Sequence, residues 1–179
     1  GEPYEKRFGM SDDGTPVVTE DNVAGYKMFS GLSNLEQVFL PVTLTKIDTH
    51  AFEYVNHLSY VRLPKTLKTI GDEAFYDCAL TEVELPDGLD SLGHNVFNKG
   101  VASIRIPQSV RHMAEQTGEY QDIYMEWTPK EIKAFKDYDL QWMETGSSGQ
   151  GQFSFAFMRP RLHVPEQYID AYKETFKGY

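Results

Sequence analysis

Few residues of this chain combine the type and the spacing that chemistry requires. Its single cysteine, Cys78, could act as a nucleophile only if a neighbouring group lowered the pKa of its thiol. Cys78 falls at a position that other segments of the chain fill mainly with apolar residues, which favours a buried structural thiol. The five histidines include no close pair with metal-ligand spacing, and no second cysteine could complete a zinc site. We predict that His50 and His94 are solvated turn residues.

Carboxylates offer two further candidates. Asp12, Asp13 and Asp21 could ligate calcium, but the spacing of a calcium-binding EF-hand loop is absent. Glu82 and Glu84 point the same way from one predicted strand, and an open sheet face supplies too little burial for acid–base catalysis. The sequence has no phosphate-binding loop, nucleophile elbow, zinc-protease motif or dinucleotide-binding glycine motif. We therefore predict no catalytic residue, no bound metal and no cofactor.

Composition narrows the classes of partner. The 179 residues include 17 Lys and Arg against 27 Asp and Glu, which gives a net charge of −10. This balance argues against nucleic-acid and anionic-membrane binding, because both require a basic face. No apolar run is long enough to predict a transmembrane helix. The chain begins Gly1-Glu2-Pro3, so we expect that residue 1 follows a cleavage and that the missing leader says nothing about the compartment.

An internal repeat organises the chain and must position these residues. The motif V-x-L-P, or I-x-I-P in its last copy, recurs with periods of 23, 22 and 21 residues. Its prolines are Pro41, Pro64, Pro86 and Pro107. Apolar residues follow each proline by three and by six positions, and in the first three copies a phenylalanine comes five positions later. Only the segment after the phenylalanine varies in length, as expected for a loop on one side of a stacked coil. The pattern predicts a solenoid.

Each V-x-L segment should form a short strand with alternate residues facing inward, ended by a proline that has no N–H to donate. Gly71 and Gly93 occupy equivalent turn positions, where the first full repeat has Asp48, and these residue types tolerate a positive φ better than most.

Neighbouring strands lie about 4.8 Å apart, so outward residues at equivalent positions of successive strands should form rows, which we call ladders. One ladder reads Phe39, Arg62, Glu84 and Arg105, and the other reads Gln37, Tyr60, Glu82 and Ser103. The first alternates in charge after its aromatic residue, which predicts cross-strand ion pairs. We predict a ligand-binding face composed of Phe39, Tyr60, Arg62, Glu82, Glu84 and Arg105. The alternative is that these ladders only keep the sheet soluble.

Three parts are expected along the chain. Residues 1–22 form a polar N-terminal segment or cap, and residues 23–113 hold the leucine-rich repeats of 21–23 residues. Residues 114–179 form a degenerate last coil and a C-terminal cap, with a flexible loop at 146–152. Within this last part the capping-box spacing of Thr128 and Glu131 predicts a helix over 129–143.

The pattern L-x-x-V-x-L-P-x-x-L-x-x-I-G-x-x-A-F-x-x-C over residues 26–113 resembles the BspA-type bacterial leucine-rich repeat family. The ending Leu162-His163-Val164-Pro165 is similar to that of many such proteins. The resemblance implies an α/β repeat solenoid, a short right-handed horseshoe with strand-rich coils, here closed by a C-terminal α+β cap. It also implies a bacterial protein that is extracellular or on the cell surface, with adhesion and protein binding as its recurrent roles.

The leading hypothesis is a non-enzymatic binding module whose partner is a protein, such as a host extracellular-matrix or cell-surface protein. One alternative is a glycan-binding or nutrient-capture module that uses the 11 Tyr, 11 Phe and 2 Trp, and exposed rings around Trp127 and Trp142 would support it. Another is a structural spacer without its own ligand. A third is an enzyme with its site in residues 114–160. The sequence leaves the ligand and the oligomeric state open.

Overall fold

The computed structural model describes residues 22–97, 100–114, 120–133 and 161–175. Over these ranges the chain winds into stacked coils, and each coil contributes short parallel strands to its neighbours. Most of the predicted N-terminal segment 1–22 and the whole predicted loop 146–152 lie outside the described residues. The C-terminal two thirds of the predicted helix, residues 134–143, also lie outside them.

The largest parallel sheet takes one two-residue strand from each coil. These strands are β1 (Val23–Ala24), β3 (Lys46–Ile47), β5 (Thr69–Ile70), β6 (Ser91–Leu92) and β8 (His112–Met113), adjacent in that order. Their register aligns Ile47 with Ile70, Ile70 with Leu92 and Leu92 with Met113, so the equivalence predicted from the repeat is confirmed. The sequence did not predict these strands, because two residues are too few to show an alternating pattern.

The V-x-L segments form a second set of parallel strands. In this set β2 (Gln37–Phe39) pairs with β4 (Tyr60–Arg62). Similarly, β7 (Ser103–Ile106) pairs with β9 (Asp122–Met125), which also pairs with β10 (Arg161–His163). The register aligns buried apolar residues, Val38 with Val61 and Ile104 with Ile123.

The third repeat departs from the prediction, because residues 81–86 form no strand. Val83 is half-buried there, while Glu82 and Glu84 are exposed. The leucine of this repeat follows the preceding phenylalanine by five positions, whereas it follows by six in the two earlier repeats. The shorter loop moves the segment relative to the coil before it, and glutamate has a low preference for strands. The V-x-L strands are therefore divided into two separate sheets.

Stacked phenylalanines form the centre of the core. The rings of Phe29, Phe52, Phe75 and Phe97 follow one another with centroid separations of 4.7, 5.0 and 5.6 Å and interplanar angles of 15° or less. The amide of each of the first three donates a hydrogen bond to the carbonyl just before the next phenylalanine, at 2.8, 2.8 and 3.1 Å. Each coil thus presents the same ring and the same backbone donor to the next coil.

The glycines of the turns have a different role from the predicted one. Neither Gly71 nor Gly93 has a positive φ. A positive φ occurs instead two positions before Phe52 and Phe75, at His50 (59°) and at Glu73 (53°). A Cβ added to Gly93 would lie 2.6 Å from the backbone nitrogen of Asp72. The tolerance of glycine for a positive φ is therefore not used at these positions, which instead require close approach of two backbones.

The C-terminal helix, Ile169–Thr175, follows a 3₁₀ turn at Glu166–Tyr168 and is fixed to the last coil by Tyr172. The Tyr172 hydroxyl donates to the carbonyls of Met125 and Trp127 at 3.3 and 3.1 Å, and burial raises the pKa of this phenol to about 12. The indole N–H of Trp127, itself fully buried, donates to the Pro107 carbonyl at 3.0 Å.

The predicted capping box is also present. The Glu131 carboxylate accepts hydrogen bonds from the Thr128 amide, at 2.9 Å, and from the Thr128 hydroxyl, and residues 129–133 are helical. These bonds hold the pKa of the Glu131 carboxyl below its usual value. In the described part of the chain, no helix has the length and apolar character needed to span a bilayer.

Candidate binding face

The outward side chains of β2, β4, β7, β9 and β10 form one surface, which we call the strand face. Successive residues of a strand point to opposite sides of the sheet, so burial of Val38, Val61, Ile104 and Ile123 fixes their neighbours outward. The outward residues of the strand face are Gln37, Phe39, Tyr60, Arg62, Ser103, Arg105, Asp122, Tyr124, Arg161 and His163.

The half of the strand face formed by β2 and β4 carries an exposed aromatic pair. Phe39 and Tyr60 are 41% and 45% exposed, and their ring centroids lie 5.8 Å apart at 52°. The register places Gln37 opposite Tyr60 and Phe39 opposite Arg62, as the predicted ladders require. The Arg62 side chain is exposed and forms no ion pair with any residue that the structure describes. This half therefore presents two rings beside an uncompensated guanidinium.

The other half carries an arginine whose charge is already compensated. The Arg105 guanidinium donates to Asp87 at 2.9 Å and to Glu126 at 3.2 Å, and the bond to Asp87 is the main reason that its pKa is raised. The predicted pairing of Arg105 with Glu84 is wrong. Since Glu84 lies outside any strand, no register places it opposite Arg105 or Arg62.

Strands β9 and β10 extend the strand face beyond the residues that the sequence predicted. The imidazole of His163 stacks on the ring of Tyr124, with centroids 4.3 Å apart and planes at 10°. The Asp122 carboxylate accepts a hydrogen bond from Arg161 at 2.6 Å and lies 2.7 Å from Nε2 of His163. Arg161, followed by His163, lowers the pKa of the Asp122 carboxyl.

A sequence signal existed for only part of this extension. Ile123 and Met125 keep the repeat's inward spacing, so Asp122 and Tyr124 could have been assigned to the outward face. The pairing of β10 with β9 had no such signal, because Arg161 lies 39 positions beyond Asp122 and outside the repeat.

The remaining chemical candidates are placed as follows. Cys78 is buried, its thiol lies 3.2 Å from the Phe52 carbonyl, and burial raises the pKa of the thiol to about 12, so the prediction of a structural cysteine is confirmed. His94 is exposed in its turn, as predicted. His50 is not solvated as predicted, because its Nδ1 is buried between two glutamates. Asp12, Asp13 and Asp21 lie outside the described residues.

A family model and one solved structure place this architecture among known proteins. The family model described as "BspA type Leucine rich repeat region" matches residues 23–148 in six copies. A leucine-rich repeat protein of T. pallidum is similar in structure, with a TM-score of 0.53 and 28% identity over 64% of this chain and 55% of that chain. A leucine-rich repeat protein of Bacteroides ovatus aligns with a TM-score of 0.34 and 20% identity, over 62% of this chain and 43% of that one. No curated protein matches the sequence.

The chain spans about half the length of the T. pallidum protein. The family match covers well over half of the present chain and coincides with the stacked parallel strands that the structure describes. The chain therefore belongs to the BspA-type leucine-rich repeat family.

Proposed function

We propose that this chain is a non-enzymatic binding module of a bacterial surface or secreted protein, and that its strand face contacts a protein partner. Leucine-rich repeat proteins are commonly interaction modules, and solenoids expose extended surfaces suited to that role. The observation that carries the proposal is the exposed aromatic pair, Phe39 and Tyr60, beside the uncompensated Arg62.

Aromatic residues and arginine are the types enriched at the energetic centres of protein interfaces. Here they stand on paired strands whose backbone is already ordered, so binding would cost little conformational entropy beyond that of the side chains. The exposed carboxylates of Glu82 and Glu84 follow next along the chain and would orient a partner with a basic rim. In this proposal Phe39, Tyr60 and Arg62 form the centre of the site, and the two glutamates contribute to its surroundings.

The burial of Trp127 favours a protein partner over a glycan. Exposed indole rings would have supported sugar binding, but the Trp127 ring is fully buried and serves the core, and Trp142 lies outside the described residues. Membership of the family supports an extracellular or cell-surface location, with a host extracellular-matrix or cell-surface protein as the partner. Among the described residues, the helix Ile169–Thr175 packs on the last coil through Tyr172 and would cap the C-terminal end of the repeats.

The test is capture of extracellular-matrix and cell-surface proteins by the full chain, at low and at moderate salt. The double variant Phe39→Ala/Tyr60→Ala should weaken binding more than about 30-fold, the loss expected for an interface centre worth at least about 2 kcal/mol. The matched control is Tyr54→Ala, which removes a ring that is 48% exposed but lies in a turn outside the strand face.

Salt separates the contributions of the rings and the charge. A larger loss of binding at low salt than at moderate salt in the Arg62→Ala variant, with a weaker salt dependence than that of the wild type, would assign the guanidinium a steering role. Equal binding by the double variant and the wild type would refute the strand face as the binding surface. Failure to capture any protein would favour a structural spacer, and hits confined to a glycan array would favour sugar binding.

A further inference from the structure

One turn of the solenoid brings together a histidine and two glutamates from adjacent coils. The Nδ1 atom of His50 lies 3.3 Å from a carboxylate oxygen of Glu53 and 3.4 Å from one of Glu73. One potential ligand atom from each of the three residues lies within 4.8 Å of the other two. The repeat explains this proximity. His50 and Glu73 are separated by one period of 23 residues, and Glu53 follows His50 by three positions within the same turn.

The cluster holds polar groups that the surrounding protein does not satisfy. The Glu53 side chain is only 8% exposed, and among the described residues its carboxylate has ion-pair contacts with Lys27 and His50 but no hydrogen bond. The Nδ1 atom of His50 is buried and has no hydrogen-bond partner among those residues. The two carboxylate oxygens beside it are close enough but are not aligned with the ring nitrogen for hydrogen bonding. Burial of such groups without a partner is costly, so the site favours a cation.

The distances match the requirements of one metal ion. Around a tetrahedral zinc ion with bonds of about 2.0–2.1 Å, neighbouring ligand atoms lie about 3.3–3.4 Å apart. Each neighbouring atom then lies about 35° off the lone-pair axis of the ring nitrogen, which leaves it out of line for a hydrogen bond. The separations of Nδ1 from the Glu53 and Glu73 oxygens agree with this geometry.

We propose that His50, Glu53 and Glu73 bind a Zn²⁺ ion as a three-ligand site, with water as the fourth ligand. One imidazole nitrogen with two carboxylate oxygens is a ligand set that suits zinc. His50 and Glu73 are half-buried, which leaves one side of the site open to solvent. The Tyr26 ring packs edge-on against His50 at 5.7 Å and limits the rotation of the imidazole. Because Glu73 belongs to the coil after His50, the ion would join two coils.

A neighbouring lysine competes for the same charge. The Lys27 ammonium lies 3.7 Å from the second carboxylate oxygen of Glu53 and within 5.5 Å of the Tyr26 ring centroid. The positive charge of Lys27 repels a metal ion. When no ion is bound, the same charge partly compensates the negative charge of the glutamates. Lys27→Met should therefore strengthen metal binding, whereas variants of the three ligands should weaken it.

The experiment uses the full chain, stripped of metal with a chelator and titrated with Co²⁺, whose visible absorption reports tetrahedral coordination. We expect saturation near one equivalent, displacement by Zn²⁺, and a rise in the thermal unfolding midpoint when Zn²⁺ is added. His50→Ala should weaken binding more than about tenfold, since even loss of a residue that only supports a ligand costs 10–100-fold. His94→Ala is the matched control, because it removes an exposed histidine from the corresponding turn two coils further along the chain.

The half-buried position of Glu73 provides a second variant that is expected to fold, Glu73→Gln, which keeps the shape of the side chain and removes its charge. Circular dichroism establishes that each variant remains folded. Absence of tetrahedral Co²⁺ bands in the wild type, or equal bands in His50→Ala and His94→Ala, would overturn the proposal. Weaker binding by Lys27→Met would also contradict it, because that result would place the ion away from Glu53.

Discussion

Replacement of Phe52 by alanine should strongly destabilise the solenoid. The Phe52 side chain is fully buried, and its ring stacks on Phe29 at 4.7 Å and on Phe75 at 5.0 Å. A buried phenylalanine truncated to alanine costs about 3–5 kcal/mol of unfolding free energy. Because Phe52 has a ring on each side and little room for neighbours to collapse, we expect a loss near the upper end of that range.

A leucine variant separates aromatic stacking from burial of apolar volume. Phe52→Leu keeps most of the buried volume but loses both ring contacts, each worth about 0.5–1.5 kcal/mol. We therefore expect Phe52→Leu to lose about 1–3 kcal/mol. Phe39→Ala, which removes a ring that is 41% exposed, should change stability by no more than about 0.5 kcal/mol.

The assay is urea unfolding followed by circular dichroism. With a denaturant slope of about 2 kcal/mol/M, the unfolding midpoint of Phe52→Ala should fall by about 2.5 M relative to the wild type. Single domains typically have an unfolding free energy of only about 5–15 kcal/mol, so the Phe52→Ala variant could be unfolded without denaturant. In that case the Phe52→Leu variant, which loses less stability, still provides a measurable midpoint. Equal midpoints for the Phe52→Ala and Phe39→Ala variants would refute the stacked rings as the centre of the core.

Three further outcomes test other parts of the structure. Gly93→Ala should lower the thermal midpoint by the equivalent of about 1–3 kcal/mol, because its Cβ meets backbone at 2.6 Å, whereas Gly25→Ala, with a flexible neighbour at 3.4 Å, should be tolerated. Cys78 should react with a thiol reagent only after denaturation, because burial raises its pKa to about 12. Asp122, whose pKa is lowered chiefly by Arg161, should stabilise the fold above about pH 4 and lose this effect as the pH falls further. The deficit in urea midpoint of Asp122→Asn should thus shrink between pH 6 and pH 3, and a constant deficit would contradict this assignment.

Positions governed by the repeat could be predicted because each coil meets the same constraint. The spacing alone aligns Ile47, Ile70, Leu92 and Met113, and the register confirms that alignment. The phenylalanines stack for the same reason. A residue that must fill the space between two identical neighbours repeats at the period of the coil, so its pattern is visible in the sequence.

Departures from the repeat could not be predicted in this way. The strand expected at Glu82 and Glu84 depends on where a shortened loop places the segment in space, which the motif itself does not record. The turn glycines were assigned from their usual backbone freedom, whereas contact with the preceding coil determines their role.

The cluster of His50, Glu53 and Glu73 illustrates a third case. Its signal was present, because His50 and Glu73 differ by one repeat period and therefore occupy equivalent positions in adjacent coils. A search for close spacing along the chain passes over such pairs. In a solenoid, residues one period apart are neighbours, so ligand sets should be sought across the repeat as well as along it.

The two-residue strands of the large sheet have a mechanical consequence. In this sheet, formed by β1, β3, β5, β6 and β8, each strand joins its neighbour through only two aligned residues, and these bonds run along the axis of the solenoid. A pulling force applied along that axis would load the junctions in series and open them one at a time, so the terminal coils would detach first. Such a chain would lengthen stepwise under tension and absorb work over a long extension, rather than resist until the whole domain fails at once.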